Sequence, residues 1–139
     1  MQNAYYSTTE RTLAAAGGAV FLAGCFVVGF FNPSNAGFYP GCPLLETTGF
    51  ACPGCGLTRG FHALFHGDFI GALDFNLLVP LFAIGFVYLV VLLGSIALRG
   101  RHLAFTIFTP AALWVFTISA VVFGVVRNIP AYPFEVLFP

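Results

Sequence analysis

Three long stretches of this chain contain no charged residue, and they constrain its fold more than any other feature. They are residues 12–31, 77–98 and 103–126. About 20 helical residues cross a hydrocarbon core of about 30 Å, and an ionised group at the centre of a bilayer is costly. The pattern therefore predicts an all-α membrane protein, with three transmembrane helices in a single domain over residues 1–139.

The composition excludes several other classes of protein. Hydrophobic residues make up 59% of the chain and charged residues only 7%, against about 25% charged in soluble domains. A soluble domain of this composition would expose wide apolar surfaces and aggregate. The formal net charge is zero, so no basic surface is available to bind phosphates. We therefore expect lipids and other membrane protein subunits as partners, and no nucleic acid.

The arginines predict the orientation of the chain. Arg11, Arg99 and Arg101 flank one side of the three predicted spans. The other side carries Arg59 and Arg127, together with four of the five acidic residues. Because positive flanks stay in the cytoplasm, we expect the N-terminus there. The loop between the first two spans and the C-terminal tail (127–139) would then lie outside the cytoplasm.

The loop between the first two spans holds most of the chemically reactive side chains. This segment, residues 32–76, is called the Cys loop here. Cys42, Cys52 and Cys55 fall within fourteen residues of one another in it. Two short amphipathic segments follow, Leu57 to Phe65 and Phe69 to Phe75. We expect both to be interfacial helices, since neither is long enough to span the membrane.

A set of short motifs stands out in the Cys loop: Cys42-Pro43, Thr48-Gly49, the string C-P-G-C-G-x-T-R from Cys52 to Arg59, Gly67-Asp68 and Asn76. In these motifs the chain resembles a known family. The chain resembles a family of small bacterial membrane proteins, the domain of unknown function family 2752. The resemblance implies a fold and a topology in the bacterial inner (cytoplasmic) membrane, and it implies no activity. Leu77 is a departure, because the family usually has proline there.

The three thiols allow three interpretations. A C-x-x-C pair at the start of a helix, Cys52 and Cys55, resembles a redox pair, with Cys42 as a resolving thiol. The same three sulfurs with His62 or His66 would form a zinc site of the Cys3His type. Alternatively, Cys42 forms a structural disulfide with Cys52 or Cys55, since oxidation is favoured outside the cytoplasm. The sequence leaves these three alternatives open.

Other polar residues of the Cys loop suggest anchoring or cofactor contacts. Arg59 is expected to bind loop carbonyls or to pair with Asp68 or Glu46, and a lipid phosphate is the alternative. His62 and His66 share a helix face. They would bond to the backbone or headgroups, or ligate a tetrapyrrole metal. Zinc, a bound lipid and a tetrapyrrole are therefore the candidate cofactors.

The chain has few features of an enzyme or a transporter. It lacks a Ser-His-acid set and a phosphate loop, and no charge lies inside its spans. Ala15, Ala19 and Ala23 form a small-residue ridge on which another helix could pack. We therefore expect a non-catalytic accessory subunit of a larger membrane complex, by analogy a respiratory or photosynthetic electron-transfer assembly. The alternative is a membrane-bound thiol–disulfide oxidoreductase or zinc-dependent enzyme that uses Cys52 and Cys55.

Overall fold

The described part of the protein is helical throughout and contains no β-strand. The structure is a computed structural model that describes residues 5–35, 37, 39, 41–101, 103, 109–132 and 137–138. Residue 102, part of the predicted third span (104–108) and part of the C-terminal tail (133–136 and 139) lie outside the described residues. The helices, in order, are α1 Thr8–Phe30, α2 Pro43–Thr48, α3 Leu57–Phe65, α4 Phe69–Phe75, α5 Val79–Arg99 and α6 Pro110–Val126.

Two of the helices are long and apolar enough to cross a membrane. They are α1, with 23 residues, and α5, with 21 residues. At 1.5 Å per residue these helices are about 34 Å and about 31 Å long. The described part of α6 has 17 residues and is shorter than a typical span. The first two predicted spans are therefore supported by the helices, whereas the third is described only from Pro110 onward.

Helices α1 and α5 pack against each other along their length. Phe21 of α1 meets the ring of Phe86 edge to face, with 5.1 Å between the ring centroids. Arg11 donates hydrogen bonds to the carbonyls of Ala97 and Leu98, which have no partner within the last turn of α5. A cation at this position also complements the helix dipole. The N-terminal segment therefore caps the end of α5.

The ridge of small residues in α1 does not face α5. Ala15, Ala19 and Ala23 are all exposed in the single chain. Gly18 lies on the packed side instead, where a Cβ added to the glycine would lie 3.7 Å from Cβ of Leu93. The ridge is thus a free surface of the described chain rather than the contact between its own spans.

The two predicted interfacial helices form with the predicted bounds and make the core of the fold. Helix α4 begins at its N-cap, Asp68, whose side chain accepts a hydrogen bond from the N–H of Gly71 at 2.9 Å. Ala63 of α3, Ala72 of α4 and Val79 of α5 are buried together at the junction of the three helices. Helix α2 was not predicted, because it has only six residues and directly follows a stretch of turn-forming residues.

The close approach of α3 to the other two helices depends on Gly60. A Cβ placed at Gly60 would lie 2.5 Å from Cγ2 of Val79 and 3.1 Å from the carbonyl oxygen of Ala72. Both distances are shorter than normal contacts, and the second neighbour is backbone that cannot move alone. Only glycine fits at this point.

We predict that Gly60→Ala destabilises the protein by about 1–3 kcal/mol, the usual cost of overpacking. Denaturant unfolding in detergent, followed by circular dichroism, would measure the change. Gly17→Ala is the matched control, because no atom lies within 4 Å of the added methyl group there. Equal stability of the two variants would contradict the role given to Gly60.

Candidate functional site

The three cysteines of the Cys loop converge on one point. Their sulfur atoms all lie within 4.8 Å of one another. Sγ of Cys52 is 3.4 Å from Sγ of Cys42 and 3.4 Å from Sγ of Cys55. All three are free thiols in the structure, at contact distances well above the length of a disulfide bond, about 2.05 Å. We call this group the thiol cluster.

Helix ends position the members of the thiol cluster. Cys42 is the N-cap of α2. Cys52 and Cys55 lie on a turn closed by a hydrogen bond from the N–H of Cys55 to the carbonyl of Cys52 at 3.0 Å. Gly56 then enters α3 with φ of +81°, and a Cβ at Gly56 would lie 2.5 Å from the carbonyl oxygen of Phe75. The positive φ and the close carbonyl oxygen therefore exclude any residue other than glycine at position 56.

Three buried or half-buried side chains hold the backbone of this turn. Asn76 donates to the carbonyls of Pro53 and Cys55, at 2.8 and 3.0 Å. Asn128 both donates to and accepts from the backbone of Ala51, at 2.8 Å in each case. The third side chain is Arg127, which was treated in the sequence only as the flank of a span. We call these three side chains the loop clamp.

Arg127 is completely buried, with 0% of its surface exposed. Its Nη1 donates to the carbonyls of Cys52 and Cys55, both at 3.0 Å. Nε and Nη2 have no hydrogen-bond partner, so this guanidinium has no carboxylate partner in the part of the chain that the structure describes. Its face lies over the ring of Phe123, 4.8 Å from the centroid. A buried cation without an acidic partner is expensive.

Among the described residues, the thiol cluster supplies negative charge that acts on this cation. Burial lowers the pKa of Arg127, and the cysteines act in the opposite direction: negative charge on Cys55, Cys52 and Cys42 raises it. The hydrogen bond from the Cys55 thiol, followed by one from the N–H of Leu45, lowers the pKa of Cys42 to about 6. Burial, followed by the hydrogen bonds to Cys42 and Cys52, raises the pKa of Cys55 to about 12. At neutral pH, Cys42 is therefore the thiolate and Cys55 keeps its proton.

The thiol cluster opens onto a cavity of about 620 Å³. Tyr39, Glu46 and Arg59 are polar residues that line the same space. Cys42 is half-buried at this wall, whereas Cys55 is only 6% exposed. A small molecule or ion can therefore reach the sulfur atoms from the cavity.

The two histidines lie outside the thiol cluster. Nδ1 of His62 is 2.8 Å from the carbonyl oxygen of Val28 in α1, and Nδ1 of His66 is 2.8 Å from the carbonyl oxygen of His62. Their rings are neighbours, 4.3 Å apart, as the shared helix face predicts. The group of potential metal ligands among the described residues contains the three cysteines and neither histidine. The structure thus places both histidines on backbone carbonyls.

The side chain of Arg59 contacts an aromatic ring, and the predicted pairing with an acidic residue is not seen in the described part of the chain. Among the described residues Arg59 forms an ion pair with neither Asp68 nor Glu46. Its guanidinium lies over the ring of Phe75, 5.8 Å from the centroid. The reason is that Asp68 is used as the cap of α4, while the packing of α3 on α4 brings an aromatic ring beneath Arg59.

In comparisons with known proteins, a family profile matches the middle of the chain. Residues 42–90 match the profile of a family described as a protein of unknown function (DUF2752). Residues 42–90 belong to this family. The matched DUF2752 segment begins at Cys42 and includes the whole thiol cluster and Asn76, whereas Arg127 and Asn128 lie beyond it. No curated protein and no solved structure matches the chain significantly.

We predict that Asn76→Ala lowers the free energy of unfolding by about 1–3 kcal/mol, the cost of leaving buried polar groups unpaired. The carbonyl of Pro53 and the N–H of Leu78 would both lose their partner. Denaturant unfolding in detergent measures the effect. Asn35→Ala is the control, because Asn35 is exposed. A loss no larger than that of the control would contradict the clamping role.

We also predict an acidic reactivity profile for Cys42. In the reduced, metal-free protein its alkylation by iodoacetamide should reach half its maximal rate near pH 6, following its pKa of about 6. Ordinary thiols have a pKa of about 8.5. Cys55→Ala removes the thiol that donates to Cys42, so the midpoint should move up toward that value. Cys25→Ser should leave the profile unchanged, and a wild-type midpoint above pH 8 would contradict this assignment.

Proposed function

We propose that the chain is a three-span protein of the bacterial cytoplasmic membrane. Support comes from contacts at the two ends of the helices. At one end the N–H of Tyr6 donates to the carbonyl of Gly100 at 2.9 Å. At the other end Arg127, directly after α6, bonds to the Cys loop. The chain between Gly100 and Arg127 therefore runs between the same two ends as α5, which supports a third crossing.

The proposed orientation has the N-terminus in the cytoplasm. Arg11 and Arg101 lie at the same end of the helices, since Arg11 caps α5 and Arg101 lies over the ring of Tyr5, 4.7 Å from its centroid. This end is the more positive one, which favours the cytoplasmic side. The thiol cluster then faces the extracytoplasmic side.

Within the membrane, the chain acts as a non-catalytic accessory subunit of a larger assembly. The observation that carries this proposal is the isolation of α6. Phe116 of α6 meets Phe82 of α5 edge to face at 5.3 Å, but an apolar cavity of about 410 Å³ separates the two helices nearby. Trp114 is 68% exposed, and the exposed surface of α6 is apolar.

A membrane helix that contacts so little of the described part of its own chain is expected to pack elsewhere. Helices associate in lipid through close packing and polar contacts, because there is no hydrophobic driving force between them. The exposed ridge of Ala15, Ala19 and Ala23 on α1 offers a second surface for close approach. Both surfaces fit helices of another subunit. Respiratory and photosynthetic electron-transfer complexes are the hosts to examine first, by analogy with their small subunits.

We predict that extraction from the native membrane in a mild detergent gives a complex larger than the monomer, as measured by native mass spectrometry. Gly85 lines the cavity between α5 and α6. Gly85→Leu would occupy space that the proposed partner helix would use, and it should weaken the complex about tenfold, which corresponds to ~1.4 kcal/mol. Gly94→Leu is the control, because Gly94 is on the same helix and does not line this cavity.

Two results would contradict the accessory role. One is a free monomer that carries only lipid in the same mild extract. The other is a complex in which Gly85→Leu and Gly94→Leu behave alike, because the cavity would then not be the contact.

A second candidate function is thiol–disulfide exchange, and the lowered pKa of Cys42 beside the cavity favours it. The Cys42 thiolate would attack a substrate disulfide and release one substrate thiolate. Cys52, at 3.4 Å, would then resolve the mixed disulfide. The products are a Cys42–Cys52 disulfide and a reduced dithiol substrate. Replacing Cys52 and Cys55 by serine should abolish turnover of such an enzyme and spare its assembly, whereas a structural role predicts lost assembly or stability.

A further inference from the structure

We propose that the thiol cluster is a binding site for one Zn²⁺ ion, with Arg127 as its buried counter-charge and one coordination position open to the cavity. The proposal concerns the state of the three sulfurs and does not depend on the accessory role. It rests on the spacing of the sulfur atoms, on the charge balance around Arg127 and on the position of the cavity.

The spacing of the sulfur atoms suits a single small cation. Two of the distances between sulfurs are 3.4 Å, and all are within 4.8 Å. In a tetrahedral zinc site with bonds of about 2.3 Å, neighbouring sulfurs are about 3.8 Å apart. Lengthening two of the distances by about 0.4 Å and shortening the third by at most about 1 Å would therefore bring the three ligands to this geometry. A disulfide would use only two of the three sulfurs and leave the third beside it.

The charge balance favours a divalent metal over a disulfide. Three thiolates with one Zn²⁺ carry a net charge of −1, which the guanidinium of Arg127 neutralises. A disulfide is neutral, so it would leave the fully buried Arg127 with less compensating charge. A monovalent cation with three thiolates would leave one negative charge in excess. Zinc therefore fits the buried charges of this site best.

The loop clamp holds two of the ligands before any metal arrives. The carbonyls of Cys52 and Cys55 are fixed by Arg127, and Asn76 binds the second of them again. Groups around a metal site that hold its ligands in place commonly contribute 10–100-fold to affinity. Arg127 is therefore a positioning residue as well as a source of charge.

The fourth position faces the cavity. His62 is bonded to the carbonyl of Val28 and does not complete the site. Three protein ligands and one open position are the arrangement in which zinc binds water or an incoming small ligand. A small anion or neutral donor entering the cavity of about 620 Å³ would reach this position.

The test uses the full-length protein in detergent, reduced and freed of metal under anaerobic conditions. Zinc binding is measured by competition with a chromophoric chelator, and Co²⁺ serves as the spectroscopic probe. We expect one ion per chain and an absorption band from thiolate-to-cobalt charge transfer. Cys42→Ser, Cys52→Ser and Cys55→Ser should each weaken binding and reduce that band. Cys25→Ser is the matched control and should bind like the wild type.

Variants of Arg127 distinguish its effect on zinc affinity, through ligand positioning and charge, from any effect on the folding of the protein. Arg127→Gln should lower zinc affinity about 10–100-fold, the usual effect of losing a supporting group. Arg127→Lys keeps the charge and should retain more of the affinity. Circular dichroism of the metal-free variants shows whether they are folded, and the cysteine variants test the ligand set independently. His62→Ala and His66→Ala should bind normally.

Three results would overturn the proposal. The reduced wild-type protein would bind neither Zn²⁺ nor Co²⁺, or a variant lacking all three cysteines would bind as well as the wild type. In the third, the histidine variants would lose the metal, which would move the site elsewhere. Zinc binding by a protein that is monomeric in mild detergent would refute only the accessory role.

Discussion

The structure depends on the hydrogen-bond donors that satisfy the backbone carbonyls of the turn between Cys52 and Cys55. Buried carbonyls without donors are costly, so each must be satisfied within the protein. Here the donors are the side chains of Asn76, Arg127 and Asn128. Asn76 stands between α4 and α5, while the other two directly follow α6. One short turn of backbone therefore joins the N-terminal end of α5 to the C-terminal end of α6.

An arginine in this position has consequences that a neutral donor would not have. An asparagine could satisfy the same two carbonyls at lower cost, because no charge would be buried. Arg127 brings a positive charge to a place with 0% exposure and no carboxylate partner among the described residues. Among the described residues, the three sulfurs supply negative charge that compensates it. The free-energy cost of burying Arg127 therefore depends on the ionisation of the thiol cluster. It is not explained by the position of Arg127 at the end of a helix.

Local sequence patterns predicted most of the helices. They did not predict the contacts between residues that are far apart in the chain. The bounds of α3 and α4 follow from short amphipathic periods closed by glycine or asparagine, and both are confirmed. Helix α2 carried a signal that was missed: Pro43 at its first position and Gly49 at its end, with φ of +77°. Arg127 could not be recognised in this way. An arginine after an apolar stretch is the ordinary flank of a span, and its burial exists only once α6 meets a loop more than seventy residues earlier in the chain.

The pairing of Arg127 with the thiol cluster links the chemistry of the sulfurs to the attachment of the last helix. Negative charge on the sulfurs stabilises the buried guanidinium, and by the same interaction the guanidinium stabilises the thiolates. The link is reciprocal, so any reaction that neutralises the sulfurs removes part of what stabilises Arg127 in its buried position. Arg127 directly follows α6 and is one of the contacts that hold this helix to the rest of the described chain. The ionisation of the three thiols is therefore coupled to the attachment of α6, the helix that we propose faces partner subunits.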